Sequence, residues 1–413
     1  MPTKLIFRLF ALVNATSFLV YAFCYSPTAL HCSAISTQLM EVSDRKPEFF
    51  KVIQASVVDR DFSIGVGDRR DGLPRGGATQ EKSQSVEHRF DAASESGATR
   101  RFSNTPSVVQ LCAIKETELE GIRKLVSFES SIDGTQQQAF VIEPQVVTDK
   151  KPMLVVNLHS WSADLNQRSP LEKLVSGQGW FYLFPNFRGA NQTPAACGSK
   201  LAQQDILDSI DFVIKKYSLD SSRVFLTGSS GGGHMTMLMA GLYPERWKAA
   251  SAWVGISDLV SWHQKHRNGR YGKMIEKCCG GVPGESTSID SEYRKRSPIH
   301  VIAGAAELPI EILAGIDDGH KGSVPIRHSI DAFNRICEAS GNEIVTEKEI
   351  QELSKPDGRL QLPKASDLGF DRVMGRRYFL RRYSGSARLT IFDGGHESIA
   401  ESTISWFSTH QSE

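Results

Sequence analysis

The sequence predicts an α/β domain, a mostly parallel, doubly wound sheet with inserted cap segments, and three observations carry that prediction. After Pro106 short apolar runs alternate with helical patterns, the order of a parallel sheet covered by helices. The candidate strands lie at 153–158, 180–184, 224–227, 249–254, 310–313 and 389–392. Between them Ile206, Ile210 and Val213 recur at i, i+4 and i+7, as do Ala400, Ile404 and Phe407, each set marking one apolar helix face.

Taken in order, the chain opens with Lys4 and Arg8 ahead of a mostly apolar run at 9–24, then a less apolar stretch ending Cys32-Ser33-Ala34. That is the order of an export signal, so residues 1–34 read as a cleaved signal and the product as secreted or periplasmic. A membrane anchor is the rival. It needs roughly 20 apolar residues, whereas this run is sixteen long and interrupted by Asn14, Thr16 and Ser17. Residues 35–105 read as a largely disordered linker: positions 59–104 hold sixteen charged and seven large apolar side chains, too few to offset the entropy of ordering them. Residues 106–413 are the folded domain. Within it the basic, Gly-rich segment 261–285 sits between two strands as a cap. Thr346-Glu347-Lys348-Glu349 has capping-box spacing and opens a second inserted helix.

Composition narrows the function. The 413 residues are 40% hydrophobic and carry 48 Lys and Arg against 47 Asp and Glu, a net charge of +1. No summed field draws nucleic acid or an anionic membrane to such a surface. Seven cysteines occur without a repeated Cys-x-x-Cys spacing, which gives neither a dense disulfide scaffold nor a zinc ribbon. Cys278-Cys279 beside His263 and His266 invites a metal reading, but adjacent cysteines do not readily span one tetrahedral site, and no metal is expected. Cys197 could pair with either of the two.

The chemistry is carried by Gly228-Ser229-Ser230-Gly231-Gly232-Gly233, which follows a candidate strand and precedes a helical stretch from His234 to Tyr243. Gly-x-Ser-x-Gly in that context is a nucleophile elbow, so sharp that small residues must flank the serine. The turn also aims helix N-terminal amides at the reacting oxygen, which makes Gly231 one oxyanion donor. A nucleotide-phosphate turn would need Gly-x-Gly-x-x-Gly or a Lys-Ser/Thr pair; neither is present at this turn, and no cofactor is expected.

A serine needs an imidazole to take its proton and a carboxylate to orient that imidazole, in the chain order Ser, acid, His. His396 follows the last strand through Asp393-Gly394-Gly395. The acid follows the strand at 310–313, where Asp317 and Asp318 compete; Asp318 is favoured, Asp317 reading as a turn residue bonded to its own backbone and Asp393 as turn chemistry. The second oxyanion donor is assigned to the amide of Trp161, with Ser160 as alternate, and the Trp161 ring is equally a pocket wall or core. Arg376, Arg377, Arg381 and Arg382 read first as a polar strand face and second as a site for a substrate anion.

With these motifs in place, the chain over roughly residues 108–410 resembles the catalytic domain of the prolyl oligopeptidase family within the α/β hydrolases. The resemblance rests on Ser131-Ile132-Asp133-Gly134, Asn186-Phe187-Arg188-Gly189, Gly228 to Gly233, the Gly-x-x-Asp step from Gly315 to Asp318 with Val324-Pro325 downstream, and Gly395-His396. It implies an α/β-hydrolase fold and a triad of Ser230, Asp318 and His396. The family's Gly-Gly is replaced here by Ser160-Trp161, and about three extra residues separate Asp318 from Val324. About seventy residues stand between signal and domain, too few for the family's N-terminal propeller. The expectation is therefore a secreted serine hydrolase forming an acyl-enzyme on Ser230, a serine peptidase or a carboxylesterase acting on small peptides or esters, against a catalytically silent binding module.

Overall fold

Neighbouring strands joined by a tight turn pair antiparallel, and the described chain begins that way, with β1 (Arg123–Glu129) and β2 (Gln136–Ile142). The computed structural model describes residues 123–145 and 152–411, all within one unit of the chain, Phe102–Glu413. The signal expected at 1–34 and the linker expected at 35–105 lie outside the described residues.

Strands covered on both faces bury nearly every side chain. That is the pattern of β3 (Leu154–Leu158), β4 (Phe181–Pro185), β5 (Val224–Ser229), β6 (Ala249–Trp253) and β7 (Ile310–Gly315). Three strands follow near the C-terminus: β8 (Gly369–Asp371), β9 (Arg376–Ser384) and β10 (Ala387–Phe392). The ten pair in the order β1-β2-β4-β3-β5-β6-β7-β10-β9-β8. The six from β4 to β10 are mutually parallel, and the outer pairs are antiparallel. From β3 the chain steps outward to β4 and then returns to β5 on the other side, which makes the C-terminal ends of β3 and β5 a topological switch point, where open α/β sheets bind ligands.

Side chains alternate across the sheet, so two cores form. Val155, Tyr182 and Phe225 pack under α1 (Leu171–Gly177) and the C-terminal helix through Leu171, Val175, Ile404 and Phe407. Leu154, Val156 and Leu226 face the opposite way, against α2 (Lys200–Tyr217) and α3 (Gly231–Leu242). Ile206, Ile210 and Val213 are the buried stripe of α2.

The cap is larger than the sequence suggested. Between β6 and β7 lie three α-helices, α4 (Leu259–His266), α5 (Arg270–Cys279) and α6 (Thr287–Arg296). The Arg296 guanidinium fastens them to the loop after β4 through the carbonyls of Pro194, Ala196 and Cys197. After β7 come α7 (Arg327–Ser340) and α8 (Glu347–Leu353), the latter opened by the expected capping box of Thr346 and Glu349. The last helix, α9 (Ala400–Thr409), buries Ile404 and Phe407. No helix among the described residues is long and apolar enough to cross a membrane.

At the other edge the β1–β2 turn is stapled to the domain by Arg188. Its guanidinium bonds Asp133 Oδ2 at 2.8 Å and Asp205 Oδ2 at 2.5 Å, and Ser130 Oγ donates to Asp205 Oδ1 at 2.6 Å. The guanidinium holds the Asp133 carboxyl well below the usual carboxylate range.

Two buried histidines set an acid limit on this fold. Burial lowers His234 to about 4 and His328 to about 3. As pH falls from about 6.5 towards 4, the unfolded chain takes up protons that the folded chain refuses, so stability is lost over that window. The thermal midpoint is expected to hold above pH 7 and decline between pH 6.5 and 4. His328 Nδ1 accepts from the Ser257 amide, an acceptor role that an asparagine oxygen can fill without charging. His328→Asn should therefore show a shallower decline; an unchanged slope would assign the loss to other groups.

Candidate active site

At the end of β5 the backbone reverses within one residue. Ser230 has φ 60° and ψ −115°, a region that residues other than glycine rarely adopt and that persists only where the surroundings enforce it. Here the Ser230 amide donates to the Trp253 carbonyl at 2.9 Å. The turn carries the Ser230 side chain to the C-terminal edge of the sheet, at the head of α3.

Gly231 is packed backbone to backbone against the loop after β3. A Cβ at Gly231 would lie 2.2 Å from the Trp161 nitrogen and 2.4 Å from its Cα. The two residues expected to supply oxyanion donors are therefore neighbours. The Ser160 amide is already taken, donating to Gln167 Oε1 at 2.8 Å, while the Trp161 amide has no hydrogen-bond partner among the described residues. The loop itself is held through the Ser160 carbonyl, which accepts from Ala163 at 3.1 Å and lies 3.0 Å from His159 Nδ1. The Trp161 ring is core: it is 2% exposed and packs edge-on against Trp262 and His234. Gly231→Ala should push this loop away, and turnover should fall about 10²- to 10³-fold, the loss typical of one oxyanion donor. Ester kinetics alongside a thermal midpoint check it; full activity in a folded variant would exclude Trp161 as a donor.

The adjacent carboxylates after β7 part company. Asp318 is buried, its Oδ2 2.7 Å from His396 Nδ1, and its Oδ1 accepts from the amides of Gly319 at 2.9 Å and Val324 at 3.0 Å. Asp317 turns outward to Lys321 Nζ at 3.0 Å rather than back onto its own amides. Asp393 is exposed. The loops after β7 and β10 are tied together, since Asp317 N–H donates to the Gly394 carbonyl and Ile316 N–H to that of Phe392. His396 keeps about a quarter of its side chain open to solvent, at 26%. Its Nε2 lies 3.5 Å from Ser323 Oγ. The Ser230 hydroxyl has no hydrogen-bond partner among the described residues, and such contacts commonly tighten only when substrate binds.

Sequence reasoning missed Ser323 and Gly322, which lie against the acid and the imidazole; the longer step from Asp318 to Val324 was their one signal. Other candidates are engaged elsewhere. Arg381 pairs with Asp371, and Arg382 with Asp367 and Glu349. Arg376 lies 3.5 Å from Glu397. These three read as a strand's ion-paired faces. His263 Nε2 meets Glu276, and His266 Nε2 donates to the Ser323 carbonyl. Cys197, Cys278 and Cys279 are free thiols in the core between Trp161 and the cap, where burial pushes Cys279 up to about 12.

Residues 169–335 match the prolyl oligopeptidase family. The match takes in Ser230 and Asp318, bears out the resemblance read from the motifs, and is consistent with an α/β-hydrolase fold for the described domain. Among curated proteins, the chain is 27% identical over 154 residues to probable acetylxylan esterase A of Neosartorya fischeri, covering 35% of this chain and 41% of that protein. It is 29% identical over 201 residues to acylamino-acid-releasing enzyme 1 of Oryza sativa subsp. japonica, covering 43% and 24%. A solved structure, the acylaminoacyl peptidase of Pyrococcus horikoshii, aligns with TM-score 0.45 at 21% identity, covering 54% of this chain and 36% of that one. The chain thus spans less than half the length of these relatives.

Proposed function

We propose that the protein is an exported serine hydrolase that acts through an acyl-enzyme on Ser230. The observation that carries the reading is the buried Asp318 carboxylate 2.7 Å from His396 Nδ1, on the sheet edge that also presents the strained Ser230 turn. Asp318 accepts the Nδ1 proton and so keeps the Nε2 lone pair free. Nε2 removes the Ser230 proton as Oγ bonds to the substrate's carbonyl carbon, and the amides of Gly231 and Trp161 receive the negative charge that develops on its oxygen. Nε2 then hands the proton to the leaving group, and the same nitrogen activates water to release the acyl group.

The first substrate class is a small peptide, following the family. The second is an ester, favoured by the likeness to an acetylxylan esterase. Purified protein should take up a fluorophosphonate and cleave an activated acetate ester. Activated acetate and feruloyl esters set against short proline- and alanine-containing peptides, at matched concentration, decide between the classes by kcat/KM. A protein that neither labels nor cleaves any of these is a binding module instead.

A further inference from the structure

The acid loop passes directly over Asp318 and His396. A Cβ at Gly322 would lie 2.2 Å from Asp318 Oδ1 and 2.8 Å from His396 Cβ, so only glycine lets the backbone through. The next residue, Ser323, brings Oγ to 3.5 Å from His396 Nε2, the ring nitrogen that Asp318 does not engage. This placement is built rather than incidental. The Ser323 carbonyl accepts from Trp262 Nε1 at 3.0 Å and from His266 Nε2 at 2.7 Å, both on α4, while Lys265 Nζ donates to the Gly319 carbonyl at 2.8 Å. Cap and acid loop are thus joined at three points, and one product of that joint is a hydroxyl facing the general base.

We propose that Ser323 is a positioning residue for deacylation, orienting the hydrolytic water against His396 Nε2. The inference rests on the serine hydrolase reading above. Once Ser230 Oγ is esterified it has no proton to offer, and the place beside Nε2 passes to water. A water bonded to Nε2 alone turns freely about that bond; a second partner fixes the direction of its attacking lone pair. Two atoms 3.5 Å apart reach one water at about 2.8 Å each only at a narrow angle, and a widening of their gap by about 1 Å gives that water tetrahedral geometry. The water oxygen bonds to the acyl carbonyl carbon and its proton goes to Nε2. The carbon–Oγ bond to Ser230 then breaks, and Nε2 returns the proton to Oγ. Ser323 ends with the proton it began with, and nothing beyond water is consumed. Acylation does not use this water, so the hydroxyl bears on the second half-reaction alone.

Ser323→Ala and Ser323→Thr should be compared on an activated ester that gives a burst, where deacylation limits turnover. For Ser323→Ala, kcat is expected to fall about 3- to 10-fold, the scale of one lost hydrogen bond, and KM to fall in step. The value of kcat/KM, which reports acylation, and the rate of fluorophosphonate labelling should stay within about twofold of wild type. Ser323→Thr, which keeps a hydroxyl, should recover most of kcat. The proposal is overturned if kcat/KM falls together with kcat, if threonine is as slow as alanine, or if alanine matches wild type throughout. In all three cases wild-type labelling and turnover leave the hydrolase reading standing; a wild-type protein that does neither sinks both.

Discussion

Ser230→Ala is expected to abolish turnover, a loss of about 10⁶-fold in kcat on the scale of removing a serine nucleophile, together with all fluorophosphonate labelling. The fold should not notice. The hydroxyl makes no hydrogen bond among the described residues, and the turn is held by the Ser230 amide on the Trp253 carbonyl, which alanine retains. The thermal midpoint should therefore move by no more than about 2 °C. Ser230→Gly separates chemistry from strain: it is equally inactive, but glycine adopts φ 60° without a Cβ penalty. It should unfold at a higher temperature than Ser230→Ala. Labelling that persists in Ser230→Ala would assign the nucleophile to another residue.

Asp318→Asn should cost about 10⁴-fold in kcat, and the reason lies in how the carboxylate is used. Oδ1 accepts two backbone amides and Oδ2 faces His396 Nδ1. An asparagine oxygen can keep both amide bonds, which leaves the side-chain NH₂ opposite Nδ1. Nδ1 must then accept, the ring proton moves to Nε2, and the nitrogen that should take a proton from serine already holds one. Because the amide bonds survive, folding is expected to be nearly unaffected. Asp317→Asn loses only the surface contact with Lys321 and serves as the control. If Asp317→Asn were the inactive variant and Asp318→Asn active, the triad assignment would be wrong.

The central strands were legible because parallel strands buried on both faces are written as short apolar runs. β3 to β7 and β10 lie where those runs predicted, to within one or two residues at most ends. The elbow was legible because a chain that doubles back and then packs on a neighbouring backbone tolerates only small residues. The outer strands were harder. β1 alternates, burying only Val126 and Phe128 among polar neighbours, and β2 opens with Gln136, Gln137 and Gln138 before a run of only four apolar residues, Ala139 to Ile142. Asp317 and Asp318 could be ranked but not separated by spacing, since adjacent side chains diverge and only coordinates tell which one turns inward. The helices of the cap were missed for a related reason: the polar segment from Thr287 to Arg296 is helical, yet it buries only Tyr293 and Arg296. Ser323 left a single trace, the longer step from Asp318 to Val324, because its meaning comes from His396, 73 positions away.

The grip of Trp262 and His266 on the Ser323 carbonyl, with Trp262 also wedged against Trp161, makes the insertion between β6 and β7 a strut as well as a roof. A chimaera that borrows this insertion from a relative to change selectivity would slacken the Trp161 loop and the acid loop at once. Residues 319–323 would have to travel with it, or speed would be lost before any new preference could be read.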